Sequence, residues 1–77
     1  MDNTRMKMYN WIIEYKQEHN GCSPSIEEIG EALKLSKSNV TYHLDMLEDA
    51  GLIWREYGVA RSICVSDSAW VYQFRIR

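Results

Sequence analysis

Residues 25–52 read SIEEIGEALKLSKSNVTYHLDMLEDAGL, and the caps and apolar spacings of this stretch decide the fold. Ser25 is followed three residues later by Glu28. This is the capping-box arrangement, in which hydroxyl and carboxylate each satisfy an amide left without a partner at a helix start. A helix is therefore predicted from Ile26, with Ile29 and Leu33 on one face at i and i+4. Gly30, lacking a side chain, lets a second helix approach closely. Lys34-Leu35-Ser36 is long enough only for a tight turn. Ser36 can cap a second helix, in which Val40, Leu44 and Leu47 form an i, i+4, i+7 stripe. Gly51 ends it, since glycine readily takes the positive φ found at helix C-termini. Two helices joined by a short turn, the second longer and amphipathic, have the layout of a helix-turn-helix.

Upstream, Asp2, Asn3 and Thr4 are all competent caps, and Met8, Tyr9, Ile12 and Ile13 recur at helical spacing between about Arg5 and His19. Trp11 and Tyr15 lie on another side, so this helix has a second apolar face for the C-terminal segment or a partner to cover. His19-Asn20-Gly21 ends it, and Cys22-Ser23-Pro24 leads in extended form to the capping box. Downstream the period changes. Leu52-Ile53-Trp54-Arg55 reads as a strand, Glu56-Tyr57-Gly58-Val59 as a turn, and Arg61-Ser62-Ile63-Cys64-Val65 as a return strand with Ile63 and Val65 on one face. A helix-turn-helix followed by a hairpin is a winged helix, an α+β fold of three helices and a β-hairpin wing. Its second motif helix enters the major groove, and the hairpin touches backbone or minor groove. We assign residues 1–65 to this domain. Residues 66–77 form a tail in which Trp70, Tyr72, Phe74 and Ile76 alternate with Val71, Gln73, Arg75 and Arg77, the pattern of an extra C-terminal strand.

Composition bounds the function. With 77 residues, 45% hydrophobic and 26% charged, the chain reads as one small folded domain with little room for a catalytic cleft or an effector pocket. No apolar run is long enough to span a bilayer, and the polar start MDNTRMK is unlike a signal peptide, so a cytoplasmic location is expected. Cys22 and Cys64 make no disulfide framework. The net charge of −2 by itself opposes nucleic-acid binding. Its distribution softens this: residues 1–50 carry five Lys/Arg against nine acids, and residues 51–77 carry four against two.

The segments GCSPSIEEIGEALKLSKSNVTYHLDMLEDAGLI and GVARSICV permit a comparison with a known family. Over roughly residues 4–65 the chain resembles the DNA-binding domain of LexA-type repressors and, more broadly, small bacterial and phage winged-helix regulators. The likeness is carried by the Ser-Pro-Ser-Ile-Glu-Glu-Ile helix start, Tyr-His-Leu and Gly-Leu-Ile in and after the second motif helix, and Ala-Arg-Ser-Ile in the wing. It implies the winged-helix fold and operator binding. It does not imply self-cleavage, because residues corresponding to the family's protease domain are absent. Val59 stands where an arginine often follows the wing glycine. Lys34 stands where the inter-helix turn often has glycine, and a positive φ there would cost up to about 1 kcal/mol.

With the apolar stripe turned inward, the opposite arc of the second motif helix carries Ser38, Asn39, Thr41, Tyr42 and Asp45. Ser38, Asn39, Thr41 and Tyr42 are the base-edge candidates: Asn39 can bond adenine, Thr41 can donate to a base or phosphate, and Tyr42 can reach a thymine methyl or a phosphate. The bland reading of this arc is a solvated helix face. Ser36 and Lys37 are placed for phosphate at a helix start, with Arg55, Tyr57 and Arg61 as the hairpin's phosphate contacts. For Lys37 the alternative is an ordinary exposed lysine, and for Tyr57 packing on the domain. His43 borders the stripe, as a partly buried histidine that bonds locally. His19, Cys22, His43 and Cys64 match no zinc-ligand spacing, and no catalytic constellation or cofactor motif stands out.

Trp70, Tyr72 and Phe74 read either as a stripe covering the first helix or as a homodimer seam. Such a stripe is more usually core, yet a homodimer built by the tail or by the first helix is preferred, because a reader this small gains affinity by pairing two half-sites. The expected function is sequence-specific double-stranded DNA binding, as a small transcriptional repressor without enzymatic activity, cofactor or small-molecule substrate. The competing class is a winged helix that binds another protein through its acidic surface and exposed aromatics and reads no DNA.

Overall fold

A computed structural model describes residues 3–66. Helices α1 (Thr4–Glu18), α2 (Ile26–Leu33) and α3 (Lys37–Asp49) precede strands β1 (Ile53–Trp54) and β2 (Cys64–Val65). The strands pair antiparallel, Ile53 opposite Val65 and Trp54 opposite Cys64. The fold is the expected winged helix; the tail and its Trp70, Tyr72 and Phe74 lie outside the described residues.

One core unites the elements. Met8, Tyr9, Ile12 and Ile13 of α1 meet Ile29 of α2, Val40, Leu44 and Leu47 of α3, and Ile53, Ile63 and Val65 of the wing. Burying each large side chain stabilises the fold by about 1.5–3 kcal/mol, and this convergence makes the helices one unit. Trp11 packs against the edge of the same core.

The caps explain where the helices start. The Ser25 hydroxyl accepts from the Glu28 amide at 3.1 Å, and the Ser25 amide donates to Glu28 Oε1 at 2.9 Å, so both halves of the capping box form. Ser36 Oγ accepts from the Asn39 amide at 3.2 Å. Asn3 occupies the cap position of α1 and makes no side-chain cap hydrogen bond. Between α2 and α3, Lys34 has φ +60°. Its amide, like that of Leu35, donates to the Gly30 carbonyl. Gly30 serves that turn more than a helix crossing: a Cβ there would lie 2.8 Å from the Leu35 carbonyl oxygen, and 3.7 Å from Val40 Cγ2.

The wing is less sheet-like than its residue types predict. Strands expected over residues 52–55 and 61–65 shorten to two residues each, because their flanking amides bond elsewhere. The Arg55 amide donates to Glu48 Oε2 of α3 at 3.3 Å, and the Ile63 amide donates to the buried Ser23 hydroxyl at 3.1 Å. Residues 55–63 therefore form a loop tied to the helical body at both ends.

Candidate nucleic-acid interface

The buried stripe of α3 turns the opposite arc outward. Ser38 and Asn39 are exposed and Tyr42 is 55% exposed. Thr41, half-buried, donates its hydroxyl proton to the backbone carbonyls of Lys37 and Ser38 at 3.1 and 3.0 Å. It thus presents a methyl group and oxygen lone pairs, where a donor was expected. Tyr42 meets His43 edge to face at 5.3 Å between ring centroids. His43 Nδ1 is buried without the expected local bond among the described residues. The first turn of α3 contains no acid, which leaves the positive end of its dipole uncompensated.

Lys37, Arg55, Tyr57 and Arg61, four of the five phosphate candidates, line one groove of about 300 Å³ between the start of α2 and the wing loop. That volume is at the lower limit of ligand pockets, a larger recess than the chain's length suggests. Ser36, the fifth candidate, is committed as the cap of α3. Lys37 is exposed. Tyr57 is 77% exposed, with its hydroxyl 3.5 Å from Glu48 Oε1.

Arg55 requires correction as an outward phosphate contact. Its side chain is only 8% exposed. Its Nη2 donates to Asp45 Oδ1 at 2.5 Å, its Nε lies 3.7 Å from Glu48 Oε1, and its guanidinium carbon sits 5.3 Å from the Tyr57 ring centroid. Strand alternation was the available signal: with Ile53 buried and Trp54 out, the next residue points back toward α3.

Arg61, at φ +55°, is half exposed and joins three segments through one nitrogen. Its Nη1 donates to Glu28 Oε1 at 2.9 Å, to the Tyr15 hydroxyl at 3.2 Å and to the Ser23 carbonyl at 3.2 Å. The hydrogen bond from Arg61, helped by the Ser25 amide, lowers the Glu28 pKa to about 2. The same Glu28 bond pushes the Arg61 guanidinium further up. Tyr15 also stacks on His19 at 3.8 Å, which accounts for its position off the apolar face of α1. These ties were not readable from spacing, since their partners are 33 to 46 residues apart. Among the described residues no group of three or more His, Cys, Asp and Glu side chains gathers to hold a metal ion, and no helix is long and apolar enough to cross a membrane.

A helix-turn-helix whose last helix presents a polar arc, followed by a wing that carries cations, defines a winged helix-turn-helix DNA-binding domain of the kind found in transcriptional regulators. Residues 17–58 match the MarR family, and the chain belongs to it. It is also 43% identical over 58 residues to the LexA repressor of Koribacter versatilis (strain Ellin345), covering 74% of this chain and 27% of that protein. The LexA repressor of Roseiflexus sp. (strain RS-1) is 43% identical over 58 residues, 74% of this chain and 26% of its own. LexA repressor 1 of Nocardia farcinica (strain IFM 10152) is 42% identical over 57 residues, 73% and 24% respectively. The chain thus spans about a quarter of the length of these relatives.

Proposed function

We propose that this chain is a sequence-specific transcriptional repressor of bacterial or phage type, acting in the cytoplasm by occupying an operator without chemistry of its own. The observation that carries the reading is the outward arc of α3 beside a groove lined by Lys37 and Arg61. In this reading α3 lies in the major groove, where Ser38, Asn39, Thr41 and Tyr42 meet base edges. Asn39 supplies paired donor and acceptor to adenine, and the Thr41 methyl packs on a thymine methyl. Lys37 and the outer edge of Arg61 contact flanking phosphates, with Tyr57 reaching sugar or phosphate from the wing. Arg61 is supported in this role by its bond to Glu28, which holds the guanidinium while leaving half of it exposed.

The protein-interaction alternative rests on acidic surface charge and exposed aromatics, and Tyr42, Trp54 and Tyr57 are indeed exposed; it is its charge argument that the structure bears on. That argument is weakened because Glu28, Asp45 and Glu48 are paired internally, with Arg61 and Arg55. Two half-sites read by two copies of the chain would supply the affinity that one small domain of net negative charge lacks, so the proposed active species is a homodimer. Gel retardation of genomic fragments at low salt tests the reading, because phosphate attraction is strongest there. Retarded fragments that share a repeated half-site are expected; an absence of retardation would sink it.

A further inference from the structure

The polar arc of α3 contains an anion. Ser38, Thr41, Tyr42 and Asp45 follow one another at i, i+3, i+4 and i+7, so the Asp45 carboxylate continues the face proposed to read DNA, and its side chain is 54% exposed. Glu48 follows one turn later. Two carboxylates facing a polyanion would repel it. The cation nearest them is Arg55, and it is not presented to solvent: its side chain is 8% exposed, and Nη1, the nitrogen bonded to neither acid, is buried without a partner among the described residues. The other two nitrogens face Asp45 and Glu48. The Arg55 amide and the Tyr57 hydroxyl hold Glu48 as well, so the wing grips both acids of α3.

We infer that Arg55 is a positioning residue for DNA recognition: it offsets the negative charge at the C-terminal half of the reading face and draws the Asp45 carboxylate toward the wing. This inference rests on the DNA reading. It departs from the simpler role in which Arg55 itself touches phosphate. Arg55 and Asp45 then act as a compensated pair whose single removals change DNA affinity in opposite directions.

The test is a fluorescence-anisotropy titration of the full chain with a random-sequence duplex across a salt series, alongside thermal melts. Asp45→Asn adds one net positive unit at the face. It should tighten binding by up to about eightfold at 0.1 M salt and steepen the salt slope by nearly one unit. Arg55→Met should weaken binding and flatten the slope by a similar amount. The double variant, with the local charge restored, should return to near the wild-type slope. Were Arg55 a phosphate contact, the double variant would stay as weak as Arg55→Met, and the inference would be overturned. Were the cluster only a brace, the melts would fall and every folded variant would keep the wild-type slope, overturning it equally. If Arg55→Met does not fold, Arg55→Gln takes its place, alone and combined with Asp45→Asn, and the same comparison of slopes decides. A wild-type chain that binds no duplex at the lowest salt overturns the DNA reading itself, a result distinct from wild-type binding with unresponsive variants.

Discussion

At the scale of single residues, Glu28 carries two functions with one oxygen. Oε1 accepts from the Ser25 amide, completing the α2 cap, and from Arg61, fastening the wing. Its pKa in the folded chain, about 2 against an ordinary 4.5, gives a pH signature. A carboxyl whose folded pKa is depressed contributes stability above its unfolded pKa and loses that contribution as pH falls through the folded value. Glu28→Gln should therefore melt lower than wild type at neutral pH, and the gap should close as pH descends from about 4.5 to about 2. A gap undiminished at the acid end would assign the effect to something other than charge. Lys34 offers the opposite experiment. At φ +60° it holds a conformation that glycine adopts without steric cost. Lys34→Gly should stabilise by up to about 1 kcal/mol, raising the melting temperature by about 4–8 °C in a domain this size.

At the scale of elements, the proposed function has α3 and the wing divide the labour of recognition by chemistry. Replacing Asn39 and Thr41 by alanine should erase sequence preference while sparing non-specific binding. Lys37→Ala should weaken binding to every duplex alike and reduce the salt slope by about one unit. Parallel titrations of operator and random DNA separate the two outcomes. The helices are legible in the sequence because their signals are local: a capping box spans four residues, and the Val40, Leu44, Leu47 stripe spans eight. The wing was legible only in outline. Its tethers join Arg61 to Tyr15 and Glu28, and Ile63 to Ser23, across separations at which no periodicity links the partners. Arg55 lies between these cases. Its charge suggested phosphate, whereas counting alternation from Ile53 gives the inward direction it takes.

At the scale of the whole molecule, the remaining question is how many copies act together. Trp70, Tyr72 and Phe74, outside the described residues, carry the proposed homodimer seam. Sedimentation of the full chain should give twice the chain mass, and a chain ending at Val65 should give the monomer mass; a monomer in both cases would remove the seam. The wing bears on the thermodynamics of either form. Its loop is anchored at one foot by Arg55 on α3 and at the other by Arg61 on α2 and the Ile63 amide on Ser23. Only residues 56–60 lie between these feet, so the ordering entropy lost when the wing settles on a partner is confined to about five residues, at about 1–2 kcal/mol each at most. A loop hinged at a single foot would forfeit several more residues' worth of freedom, and the twin anchorage therefore acts as pre-organisation, favouring slow release once contact is made.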